Sequence, residues 1–209
     1  DFDQLMVARV AQKQSGKRLV LIDDLGPDHP DLQKSDGAAT RGPVSQDYFA
    51  ELRLQLDQIE LLSGCSVEVA AHPRARPGVL EERYGFRQIH YGETVKLIDE
   101  SSLILLVSFS TVAGIAVALS KPMMMIQLAL YDNTLRARRD ALVNYLHLAV
   151  FPDQRGEAKW TWPSADSAAY ANYMEKFVKS VASPRDLFWK VVIDSVEEEN
   201  SRSCQDAET

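Results

Sequence analysis

The chain has little cysteine, no long apolar run and no surplus of basic residues. Only two cysteines occur in 209 residues, Cys65 and Cys204. Two thiols so far apart make neither a disulfide framework nor a metal-ligand spacing, and they point to a reducing compartment. No apolar stretch approaches the roughly 20 residues of a membrane-spanning helix. The run "SLILLVSF", 102–109, has instead the length of a buried strand. No signal-peptide pattern opens the sequence. Lysine and arginine number 23 against 30 aspartates and glutamates, a net charge of −7. Polyphosphate attraction needs a basic surface, so a dedicated nucleic-acid binder is excluded. A small basic pocket inside an acidic shell is not. Internal repeats and low-complexity segments are absent too.

What is present is an ordinary globular composition, 45% hydrophobic and 25% charged, enough to bury a real core. The length suits one large domain or two small ones. Residues 1–16 read as a helix already under way or a linker. A longer polypeptide is therefore expected, with part of an active site outside this chain.

From residue 17 the pattern alternates. "KRLVLIDDLG" (17–26) is a strand ending in a long loop rich in Pro, Gly and Asp. "SQDYFAELRLQLDQIELLSG" (45–64) carries Ser45 as N-cap, apolar residues at helical spacing and Gly64 as a stop. Then come the strand "SVEVAA" (66–71), a helix at 78–85, a strand at 86–91, a helix at 93–101, the strand 102–109, a small-residue helix at 111–120 and the strand 121–128. This order predicts an α/β fold, a Rossmann-like parallel sheet with helices on both faces. Residues 17–150 are assigned to that domain, with a helix at 133–150. C-terminal helices at 165–180 and 184–199 pack on it within 151–200, and 201–209 form a polar, disordered tail.

Ligands of open α/β sheets bind beyond the carboxyl ends of the strands. The candidate site is therefore assembled from the residues just past each strand. After the first come Asp23, Asp24, Gly26, Asp28, His29 and Pro30. After the second come His72, Pro73 and Arg74. Glu93 comes after the third, Ser108, Ser110 and Thr111 after the fourth, and Gln127 after the fifth. In "SFSTVAGIAVAL" three hydroxyls stand where a strand becomes an uncharged helix. Helix N-termini suit phosphate, although Ser and Thr are also plain N-caps. His72 can donate to an oxygen or shuttle a proton, and Arg74 can clamp a phosphate. His29 either faces a ligand or sits in a surface turn. Glu93 stands at a helix start, where carboxylates are common without function. "KWTWP" (159–163) reads as core packing ahead of an aromatic lid. "DDLGPDHPD" matches no metal loop, so no metal is expected.

The segments "DDLGPDHPD", "DYFAELRLQLDQIELLSGCSVEVAAHPRA" and "YGETVKLIDESSLILLVSFSTVAGIAVALSKPMMMI" together resemble the C-terminal half of bacterial surface-polysaccharide biosynthesis proteins of GT-B glycosyltransferase type, over residues 17–130. The His-Pro pair and the hydroxyl-rich junction are similar to those of bacterial sialyltransferases and Kdo transferases. The resemblance implies a nucleotide-sugar donor, CMP-activated, as substrate, with no cofactor and no essential metal. It implies that His72 and Pro73 meet the nucleotide phosphate or ribose, that Ser108, Ser110 and Thr111 bind the phosphate, and that Arg74 neutralises it. Gly26, His29 and Glu93 join them as candidate binding residues. No catalytic residue is assigned. The expected partners are a glycan or lipid-linked acceptor and an N-terminal Rossmann-like domain outside this chain. The expected place is the cytoplasm, at the inner face of the membrane with at most peripheral attachment. Two other readings stay open: a sugar-nucleotide epimerase on a similar scaffold, and a non-catalytic interaction domain that retains the fold.

Overall fold

A computed structural model describes residues 16–29, 45–129, 133–152 and 160–178, all inside one compact unit, Gln14–Val178. The helix or linker expected at 1–16 falls almost wholly, and the helix at 184–199 and the tail at 201–209 entirely, outside the described residues.

Six strands form one sheet: β1 (Leu19–Ile22), β2 (Val67–Ala70), β3 (Ile89–His90), β4 (Leu103–Leu106), β5 (Met123–Ile126) and β6 (Ala149–Phe151). Their order across the sheet is β3-β2-β1-β4-β5-β6, and every pairing is parallel. The described α-helices are α1 (Ser45–Ser63), α2 (Val79–Tyr84), α3 (Thr94–Glu100), α4 (Val112–Ala118) and α5 (Asn133–Leu146), which lie between strands, and α6 (Ser167–Tyr173), which follows β6. This is a Rossmann-like doubly wound arrangement.

The central strands are apolar on both faces because both faces are covered. On one face Leu19, Leu21, Val69, Leu103 and Leu105 meet Leu52, Leu56 and Ile59, three successive turns of α1. Side chains alternate along a strand, so Val20, Ile22, Ile104 and Leu106 point to the other face, where they are equally buried. There α3 packs on β1, and α6 packs on α4 and α5. Trp160 and Trp162 lie against the α1-side core, and Lys17 Nζ sits 4.0 Å above the Trp162 ring. The two tryptophans of the "KWTWP" run therefore pack on the core, as its composition suggested.

Three details differ from the sequence reading. The strand expected at 86–91 shrinks to Ile89–His90, because the Arg87 side chain turns inward to ion pairs with Asp57 and Glu60. The helix expected at 133–150 ends at Leu146. His147 takes a left-handed backbone, φ 53°, which stops the helix, and 149–151 add the edge strand β6. The last described helix is regular α only over Ser167–Tyr173 and widens to a π turn at Met174–Val178.

Candidate functional site

The chain runs β1 to β2 to β3 in one direction, then returns to place β4 on the other side of β1. The loops leaving β1 and β4 therefore diverge, and the crevice that this topology makes at their carboxyl ends is the point where ligands bind in such sheets. The tip of β2 adjoins it.

Asp23 builds the floor. It is buried at 3% exposure. Its Oδ1 accepts the Leu25 amide at 3.1 Å and the Tyr84 hydroxyl at 2.8 Å, and its Oδ2 accepts the His72 amide at 3.1 Å. One carboxylate thus ties the tips of β1 and β2 to α2. Burial, and then the Asp23 charge, hold the Tyr84 hydroxyl well above its usual range, so it stays a donor.

The turn after β1 is tight. Leu25 and Gly26 both have positive φ, 62° and 49°. A Cβ on Gly26 would stand 2.5 Å from Tyr48 Cε1, so glycine is needed for the ring to close over it. Gly26 is itself buried, and its expected ligand contact would have to come from backbone. Asp28 then accepts the Ser45 hydroxyl at 2.8 Å and pairs with Arg83, whose guanidinium lies 4.6 Å over the Phe49 ring.

Asp24 stands on the β1 side of the crevice. It accepts the Gly26 amide at 2.9 Å, and the Ser108 side chain, from the tip of β4, lies close enough to favour its charged form. Burial raises its pKa, the nearby Ser108 side chain opposes that, and the like charge of Asp23 adds to the rise. Beside it, the His72 and His29 rings meet edge to face with centroids 5.4 Å apart. The Arg74 amide donates to His72 Nδ1 at 3.1 Å. Burial lowers the pKa of His72, Asp23 counteracts this, and His29 and Arg74 reinforce it.

The hydroxyls divide. Ser110 Oγ accepts the Val112 amide at 3.3 Å, the local bond that makes serine favourable at a helix start. Thr111 is exposed and makes no side-chain cap bond, and α4 has only 7 residues. Phe109 between them and Ser108 is 52% exposed. Pro73 and Arg74 are exposed. Glu93 lies after edge strand β3 and pairs with Lys96 at 3.0 Å, two strands away from the crevice. The fold thus sets Gly26, His29 and His72 at the tips of β1 and β2, places Ser108 and the Ser110–Thr111 turn after the neighbouring β4, and sets Glu93 apart.

Sequence reasoning placed Asp23 and Asp24 at a strand tip without giving either a role. It did not find Tyr84 or Arg83, which arrive from α2 and carry no local motif. Among the described residues, no cluster of three or more His, Cys, Asp or Glu side chains is arranged to hold a metal. No described helix is long and apolar enough to cross a membrane.

No family model matches the chain, and no curated protein matches it. Among solved structures, the spinosyn rhamnosyltransferase SpnG aligns over 79% of this chain at 16% identity with a TM-score of 0.40. The chain spans 37% of that protein's length. The Rossmann-like assignment rests on the strand order itself.

Proposed function

We propose that this chain is the nucleotide-sugar donor-binding domain of a GT-B-type glycosyltransferase in bacterial surface-polysaccharide assembly, and that its donor is CMP-activated. The observation that carries the reading is the strand order, which puts the switch point between β1 and β4, with the Asp24 and Ser108 side chains close together there and the His29–His72 pair beside Asp24. A switch point is where a Rossmann-like sheet takes a nucleotide.

Three carboxylates near a phosphate site would oppose it if all were free. They are not free. Asp23 is consumed by three donors, Asp28 is paired with Arg83, and Asp24 is held toward its neutral form. In this reading His72 and the hydroxyls of Ser108, Ser110 and Thr111 meet the nucleotide phosphate or ribose, and Arg74 adds a cation. When the sugar transfers, negative charge grows on the departing phosphate, and fixed donors there lower the barrier. The acceptor and the base that deprotonates it belong to a second Rossmann-like domain. The assembly works in the cytoplasm, at the inner face of the membrane.

Calorimetric titration with CMP, UDP and GDP tests this. CMP preference is expected, and it should vanish in His72→Ala and Ser110→Ala. Binding of UDP alone would favour the epimerase reading, and no nucleotide binding would favour a non-catalytic domain. Unchanged affinity in both variants would remove those residues from the site.

A further inference from the structure

The dipeptide His72–Pro73 begins a tight turn, closed by the Ala75 amide donating to the His72 carbonyl at 2.8 Å. Proline has no N–H, so Arg74 supplies the first amide available to the imidazole. That amide donates to Nδ1 at 3.1 Å, in the manner of an Asx turn with a ring in place of a carboxamide. A ring nitrogen that accepts a hydrogen bond carries no proton. The single proton of the neutral ring is then on Nε2. A second proton, on Nδ1, would be driven against the Arg74 N–H.

We propose that His72 meets its ligand as a neutral imidazole donating from Nε2, with its tautomer set by the backbone amide of Arg74. Arg74 is thus a positioning residue through its main chain, apart from any work its guanidinium does. The His72 backbone is pinned as well, by its own amide to Asp23. The charged and titratable groups around the ring are Asp23, Asp24 and His29 from the β1 loop and Arg74 from its own turn. The two carboxylates favour a cation, while His29, Arg74 and burial oppose one. The ligand atom facing Nε2 must be an acceptor, and attraction to it is that of a dipole and not of a full charge. That Nε2 meets a nucleotide oxygen rests on the donor-site reading. The tautomer does not.

Long-range ¹H–¹⁵N correlation spectra of the free, ¹⁵N-labelled chain read the tautomer directly, with the His72 signals assigned by their loss in His72→Gln. At neutral pH and above, where the ring is neutral, the expected pattern has Nε2 protonated and Nδ1 bare. A neutral ring protonated on Nδ1, or a ring titrating above the unperturbed histidine range, overturns the proposal. Calorimetry with CMP adds a second readout. His72→Gln puts an amide donor close to the Nε2 position and should bind within a few-fold of wild type. His72→Asn, too short to reach, should lose at least about tenfold. The phosphate's own titration is common to all variants, so wild type and His72→Gln should show parallel pH profiles. An extra gain of affinity on acidification, present in wild type and missing in His72→Gln, overturns the proposal. If CMP, UDP and GDP all fail to bind, the donor-site reading falls, and the spectra of the free chain still decide the tautomer.

Discussion

Arg87 is a buried charge and Asp24 a partly buried one, and their surroundings treat them in opposite ways. Arg87 has a side chain only 1% exposed, and its Nη2 reaches Asp57 Oδ1 at 2.5 Å and Glu60 Oε2 at 2.6 Å. Glu60 in turn accepts the Val67 amide at 2.8 Å, so the pair fastens the end of α1 to the start of β2. Asp24 has the Gly26 amide as partner with the Ser108 side chain close by, and the charge acting on it is that of Asp23, of like sign. A compensated charge holds the scaffold. An under-compensated carboxylate costs stability, and such groups gather where chemistry or binding needs them.

Removing the compensated charge should have the largest effect. Arg87→Ala leaves Glu60 without its cation and should cost about 3–5 kcal/mol, read as a lowered midpoint in urea unfolding. A loss near zero would mean that the ion pairs are surface ornament and that the contrast with Asp24 is empty. Next comes the turn that presents Asp24. Gly26→Ala should cost about 2–4 kcal/mol, from overpacking against Tyr48 and from a side chain at positive φ. Adding Tyr48→Leu to Gly26→Ala should recover part of that loss, because the ring is what the new Cβ strikes.

Asp24→Asn should move stability the other way. A folded-state pKa raised above the unfolded value contributes stability below the unfolded value, and that contribution is lost as pH rises through the folded one. At neutral pH the carboxylate is therefore a burden. The asparagine variant should melt higher than wild type, by a margin that narrows on acidification into the carboxyl range. A lower melting temperature at neutral pH would place Asp24 with Arg87 as a structural charge. The smallest effect belongs to His72. Its folded pKa is depressed, so its contribution is present above about pH 6.5 and is lost as pH falls below it. His72→Gln should flatten that part of the stability profile, checked by thermal melts from neutral pH downward.

The alternating pattern of 17–128 was legible because each element declares itself locally. Apolar runs of strand length, Ser45 as cap and Gly64 as stop are short-range signals, and they led to a parallel sheet without knowledge of its partners. The end of α5 was not legible. His147 adopts φ 53° in a run whose periodicity gives no stop, and β6 exists because an edge of β5 is there to pair with. The strand at 86–91 was overdrawn for a related reason. Arg87 looks like an outward strand residue until Asp57 and Glu60, from a distant helix, claim it.

The site divides in the same way. That His72, Ser108 and Gly26 belong to strand tips comes from local pattern and the rule that parallel strands share one carboxyl edge. Residue order alone was enough for the α/β class, the parallel sheet and the set of residues on that edge, because helix and strand periods and turn chemistry act over a few residues. Long-range packing was needed to set Glu93 apart, to bring Asp24 to Ser108 across the crevice, to cap Asp23 with Tyr84 and to bury Arg87. Those outcomes depend on strand order, on burial and on which distant groups can satisfy a desolvated charge, and none of these is a property of neighbouring residues.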